Sequence, residues 1–94
     1  MKVIFTAAAV EDLSDIADYL AAHYPNANPF VERRLHVVLA RIARHPESAQ
    51  WVAERPEVRM APLVRYPYKI FYRITPEAVE ILHIHHAARR APWE

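Results

Sequence analysis

The chain has 94 residues, a formal net charge of +1, eight prolines, no cysteine and no glycine. This length predicts a single domain spanning residues 1–94. The missing cysteines exclude disulfides and thiolate metal sites, and the missing glycines exclude the glycine-rich loops that bind nucleotide phosphates. Residues 1–32 carry one basic and five acidic side chains, whereas residues 33–94 carry eleven basic and six acidic ones, so the second part predicts an anionic partner.

A short strand and a first amphipathic helix are predicted at the amino-terminal end. Residues 2–5 are β-prone, and Thr6 is suited to cap a helix that runs to about Tyr24. Apolar side chains recur in this helix at spacings of three and four residues, which places them on one face. The expected buried stripe consists of Val10, Leu13, Ile16, Ala17, Leu20 and Tyr24.

A second amphipathic helix follows a short loop that begins at Pro25. Asn28 is the expected cap, Pro29 suits the first helical position, and the helix covers about residues 30–45 before Pro46 ends it. The short connection between the two helices predicts an antiparallel helical hairpin. The apolar face of the second helix consists of Val31, Leu35, Val38, Leu39 and Ile42.

The last third of the chain predicts three antiparallel strands after an irregular connection over residues 47–57. The strands begin near Val58, at Tyr68 and at Val79, and aromatic and β-branched residues dominate the second of them. Period-two alternation gives this strand an apolar face, which is the one expected to be buried: Tyr68, Ile70, Tyr72 and Ile74. Lys69, Phe71 and Arg73 lie on the opposite, open face. The fold is therefore predicted to be α+β, with the amino-terminal strand and the helical hairpin packed on one face of a small antiparallel sheet.

Several segments of the chain resemble the RelE/ParE superfamily of bacterial toxins. The resemblance covers nearly the whole chain and is strongest in the carboxy-terminal third, at Arg65–Ile74 and Ile81–Arg90, with further matches at Glu11-Asp12-Leu13, Ile16-Ala17 and Tyr19. It implies a toxin of a type II toxin–antitoxin system, of the kind also described as plasmid stabilisation proteins. It further implies neutralisation by a cognate antitoxin in an oligomeric assembly.

The resemblance leaves two cellular targets open. RelE-like members cut messenger RNA on the ribosome, whereas ParE-like members inhibit DNA gyrase and are not nucleases. The nuclease alternative would require Lys69, Arg73, His86 and Arg89 as catalytic residues. The chain has no tyrosine after Tyr72, which departs from the nuclease pattern, so the ParE-like interpretation is favoured. A non-toxic adaptor domain of the same fold is a third interpretation.

A partner surface for the antitoxin is expected on the open face of the sheet and in the carboxy-terminal tail. Cations attract an acidic protein segment, and exposed tryptophans often anchor interfaces. The residues proposed for this surface are Arg65, Lys69, Phe71, Arg73, Arg90 and Trp93.

No metal or other cofactor is predicted. His83 and His85 share a strand face and would form half of a zinc site, but the sequence pattern offers no evident third ligand. A cytoplasmic location without membrane contact is expected, because cysteine is absent and no apolar stretch is long enough to cross a bilayer.

Overall fold

The computed structural model describes residues 1–89, which form two helices and five strands. The strands lie in one sheet, in the order β1-β5-β4-β3-β2. In chain order the elements are β1 (Val3–Phe5), α1 (Ala7–His23), α2 (Asn28–Arg44), β2 (Gln50–Val52), β3 (Arg55–Pro62), β4 (Tyr68–Ile74) and β5 (Val79–His86). The predicted α+β class with helices packed on a sheet is confirmed.

The sheet is mixed, and the expectation of a purely antiparallel sheet was wrong. The strand β1 pairs parallel with β5, with Val3 opposite Val79, while all other neighbours are antiparallel. The N–H of Val79 donates to the carbonyl of Lys2 at 2.8 Å, and the N–H of Thr6 donates to the carbonyl of Ile81 at 3.1 Å. These bonds join strands that are far apart in the sequence. The local residue pattern of either strand therefore does not reveal whether the two strands run parallel or antiparallel.

The segment between α2 and β3 also differs from expectation, because it contains the edge strand β2. Trp51 pairs with Arg59 across the β2–β3 hairpin, and the guanidinium carbon of Arg59 lies 3.8 Å from the centre of the indole ring. The same guanidinium donates to the carbonyl of Ala49 at 2.7 Å. A cation–π contact and a backbone bond therefore hold this edge strand, and both depend on a residue that lies eight positions further along the chain.

One core lies between the helices and the covered face of the sheet. The predicted alternation in β4 is confirmed, because Tyr68, Ile70 and Tyr72 are buried. The stripe predicted for α1 was wrong at Val10 and Tyr24, which are 55% and 58% exposed, and Ala17 is exposed as well. The helix instead turns toward the sheet the face that carries Ala9, Leu13, Ile16 and Leu20.

Thr6 caps α1 as predicted and also ties the helix to the sheet. Its hydroxyl oxygen accepts from the N–H of Ala9 at 3.2 Å, and the hydroxyl donates to the carbonyls of Ile81 and Leu82 at 3.0 Å. Asn28, by contrast, is not a cap: it is the first residue of α2, and the preceding Ala27 provides no side-chain bond. Proline does occupy the start of that helix, as expected.

A bulge in β5 sets the direction of the side chains near the end of the chain. Phe71 of β4 lies opposite His83, whereas the next residue, Tyr72, lies opposite Ile81, so that Leu82 has no partner residue. The extra residue lets Ile81 and Ile84 both join the core, although they are three positions apart. It leaves His83 on the opposite face of the sheet.

Neither of the two helices within residues 1–89 is long and apolar enough to cross a lipid bilayer. Both have 17 residues, and each has one apolar face that packs on the sheet and an opposite face that carries charged side chains.

Candidate functional site

The sheet separates the residues that the nuclease alternative would bring together. Tyr68 lies opposite His86, and Lys69 lies opposite His85. Because directly opposed residues share a face and successive residues alternate, His86 lies on the helix-covered face and Lys69 on the other. The side chains of Lys69 and His86 therefore do not converge on one point.

Arg73 shares the open face with Lys69, but its charge is matched by a neighbour. Its Nε lies 2.5 Å from Oε1 of Glu80, the residue opposite it on β5. The arginine side chain is about half exposed, so the ion pair contributes little to stability. A phosphate that approached Arg73 would nevertheless compete with the carboxylate of Glu80.

His86 and Arg89 instead border a groove of about 420 Å³ between α1 and the end of β5. The ring of His86 meets Tyr68 edge-on, with centroids 5.6 Å apart, and its Nδ1 accepts from the N–H of Ala88 at 3.1 Å. Burial, with a smaller contribution from Tyr19, raises the pKa of the Tyr68 phenol above its ordinary value. The groove is lined by Asp12, Asp15, Ile16, Tyr19, Tyr68, Ile84, His86 and Arg89.

The charges of this groove do not favour a phosphate. Asp12 and Asp15 line it together with Arg89, so that two carboxylates face the site of any bound anion. Stabilisation of a developing negative charge requires donors and cations aimed at it, without nearby like charge. The wall of the groove therefore combines two carboxylates and a guanidinium with aromatic and aliphatic side chains.

Phe71, which was predicted for the partner surface, is not accessible on the open face of the sheet. It is 6% exposed although it points away from the main core, because its ring packs edge-on against His85 at 6.2 Å. Val58 is buried in the same region. His85 of β5 thus covers part of the open face beside Phe71, which strand alternation alone does not indicate.

The other partner candidates are distributed over two surfaces or lie outside the described residues. Lys69 and Arg73 remain on the open face, whereas Arg65 lines a shallow groove of about 270 Å³ beside α2. That groove is formed with Phe30, Arg33, Arg34, Val37 and Tyr66. Arg90 and Trp93 lie outside the described residues.

A cluster that sequence reasoning did not assemble joins Asp12 of α1 to His83 and His85 of β5. Oδ2 of Asp12 lies 3.1 Å from Nδ1 of His83 and 3.7 Å from Nε2 of His85. The two histidines were recognised as a same-face pair, and the fold supplies the third donor. Asp12 is 71 residues from His83 in the chain, and only its place beside the apolar stripe of α1 hinted at contact with the sheet.

Comparison with protein families identifies the chain. The model described as "ParE toxin of type II toxin-antitoxin system, parDE" matches residues 3–91. The chain belongs to this ParE toxin family. Its role is therefore that of the toxin in a type II toxin–antitoxin system, and the resemblance to the RelE/ParE superfamily is confirmed.

Individual relatives agree with the family. Toxin RelE2 of Caulobacter vibrioides is 33% identical over 89 residues, which cover 94% of this chain and 97% of that protein. The chromosomal ParDE toxin–antitoxin system of P. aeruginosa gives a TM-score of 0.78 at 23% identity, covering 92% of this chain and 95% of its counterpart. The toxin–antitoxin complex RelBE2 of Mycobacterium tuberculosis gives 0.59 at 24% identity, covering 90% and 95%. The two structures are similar to this chain in fold.

Proposed function

We propose that this ParE-family toxin acts in the cytoplasm by binding DNA gyrase and inhibiting it, under the control of a cognate antitoxin. The observation that carries the proposal is the separation of Lys69 and His86 onto opposite faces of the sheet. The match to the ParE toxin model over residues 3–91 supports the same choice, because ParE-like toxins are the branch associated with gyrase.

The alternative, a ribosome-dependent endonuclease, requires a different geometry. Cleavage of RNA needs a base, an acid and positive charge held around one phosphate. In this chain the cations of β4 and the imidazole of His86 lie on different faces, and the groove beside His86 also contains two carboxylates. The geometry therefore supports inhibition by binding better than inhibition by catalysis.

We expect the purified toxin to inhibit the supercoiling of relaxed plasmid by gyrase at concentrations near that of the enzyme. An inhibitor that acts by binding does not turn over, so about one toxin molecule is needed for each gyrase molecule that it blocks. Supercoiling is measured on agarose gels with and without the co-expressed antitoxin, and relaxation by a type I topoisomerase is the control. Growth arrest in cells combined with unaffected gyrase in this assay would contradict the proposal.

The antitoxin is proposed to place an acidic segment against the open face of the sheet. The P. aeruginosa and M. tuberculosis structures described above are a toxin–antitoxin system and a toxin–antitoxin complex, which supports a protein partner for this chain. Lys69 and Arg73 supply the positive charge on that face, and Arg65 supplies a further cation beside α2. Complementary charge of this kind guides association and fixes the orientation of the bound segment.

Replacement of Arg73 by alanine is expected to weaken antitoxin binding about fivefold to tenfold, because one interfacial cation is lost. Affinity is measured by isothermal titration of the folded toxin with antitoxin. Glu80→Ala is the matched control, since it breaks the same Arg73–Glu80 pair but leaves the guanidinium available. Equal losses in the two variants would show that the ion pair, and not the cation itself, matters for binding.

A further inference from the structure

The Asp12–His83–His85 cluster joins three metal-ligating side chains from two elements. One donor atom from each residue lies within 4.8 Å of the other two. His83 and His85 are separated by one residue on β5, after the bulge at Leu82, and Asp12 approaches them from the second turn of α1. None of these residues is assigned a role in binding gyrase or antitoxin.

Contacts around the cluster fix its members in place. The N–H of Ile84 donates to Oδ2 of Asp12 at 3.0 Å, which holds the carboxylate at the edge of β5. The ring of His85 packs edge-on against Phe71, and the rings of His83 and His85 lie 5.2 Å apart at 69°. The side chain of His85 is 9% exposed and that of Asp12 is 16% exposed. Bonds and packing of this kind orient ligands before an ion arrives.

The donor set and its spacing fit one class of ligand. Two imidazole nitrogens and one carboxylate oxygen are ligands of zinc and of other divalent transition metals, which bind imidazole more readily than magnesium or calcium do. Two donors that are each about 2.0–2.1 Å from a tetrahedral ion lie about 3.3 Å apart. The distances of 3.1 Å and 3.7 Å from Asp12 to the two histidines bracket this value.

We propose that Asp12, His83 and His85 bind one divalent transition metal ion, with zinc as the best match. The ion would lie beside Oδ2 of Asp12 and Nδ1 of His83, which are 3.1 Å apart. It joins α1 to β5 across 71 residues of chain, so the bound ion stabilises the packing of the helix on the sheet. His83 also borders a cleft of about 480 Å³, and its side chain is partly exposed, so solvent reaches this member of the cluster.

The experiment uses the full chain without a histidine tag, stripped with a chelator and then dialysed. Titration calorimetry with zinc is expected to give one ion per chain, and cobalt is expected to produce visible absorption bands typical of low coordination number. Because the ion binds the folded state, free zinc at about 100 times Kd is expected to raise Tm by about 10 °C or more. Absence of heat, of cobalt bands and of a Tm shift would overturn the proposal.

Variants separate this site from adventitious binding. Asp12→Asn keeps an acceptor for the N–H of Ile84 but removes the anionic ligand, and it is expected to weaken zinc binding about 10-fold to 100-fold. His83→Ala, at a partly exposed position, is expected to have at least that effect. His36→Ala is the control, because His36 lies 3.9 Å from Glu32 on the surface of α2 and forms another histidine–carboxylate pair. Zinc affinity that is unchanged in Asp12→Asn and His83→Ala, or equally lost in His36→Ala, would also overturn the proposal.

Discussion

Replacement of Ile70 by alanine is expected to lower the free energy of unfolding by about 3–4 kcal/mol. Ile70 has no exposed surface and lies in the middle of β4, between Ala61 of β3 and Ile84 of β5. Truncation of a fully buried isoleucine loses the burial of its methyl groups and leaves a cavity that a central strand cannot close, and such changes cost about 2–5 kcal/mol. Since small domains have only about 5–15 kcal/mol of stability, the loss is large.

The measurement is denaturant unfolding followed by circular dichroism, with the slope of the transition checked for constancy. Val37→Ala is the matched control: Val37 lies on α2 and is 52% exposed, so its truncation is expected to change stability by no more than about 0.5 kcal/mol. A loss below about 1 kcal/mol for Ile70→Ala would mean that β4 does not form the centre of the core.

The elements that the sequence predicted well are those whose pattern is local. Period-two alternation within β4 identified the buried face, because each side chain in a strand is fixed by its neighbours to one side or the other. Thr6 was recognised as a cap for the same reason, since its hydroxyl bonds within the first turn of the helix that follows. Both predictions needed no knowledge of which distant segment lies nearby.

The parts that were missed depend on contacts between distant segments. The strand β2 exists because Trp51 meets Arg59 across a hairpin, and its proline-punctuated surroundings indicate no regular structure. The parallel direction of β1 depends on its bonds to β5 at the other end of the chain. The spacing of apolar residues within a single segment predicts neither the strand β2 nor the direction of β1.

The same limit explains the candidate site. The sequence named Lys69, Arg73, His86 and Arg89, but whether they converge depends on the register between β4 and β5. The bulge at Leu82 shifts that register by one residue, and alternation alone does not reveal it. The residue types could be listed from the sequence, whereas their placement on opposite faces could not.

Messenger RNA on programmed ribosomes is expected to stay intact when the purified toxin is added. The basic groups of β4 and the imidazole of His86 lie on different faces of the sheet, so that His86 does not share a phosphate with Lys69. His85, which lies opposite Lys69, is buried, and both His83 and His85 lie against Asp12. Loss of a positioned acid or base typically lowers the rate by about 10²- to 10⁴-fold. Cleavage is therefore expected to be at least that much slower than with a RelE-like nuclease tested on the same ribosomes.

The assay maps the ends of the message by primer extension, with a RelE-like nuclease as the positive control. Exposed cations can bind RNA without cutting it, so retention of RNA on a filter does not count as cleavage. Lys69→Ala and Arg89→Ala provide the decisive comparison, because they alter the two faces separately. If the toxin cuts the message at codon positions and either substitution abolishes the cut, catalysis rather than gyrase binding would explain toxicity. A conformational change or the ribosome would then have to bring groups from both faces of the sheet to one phosphate.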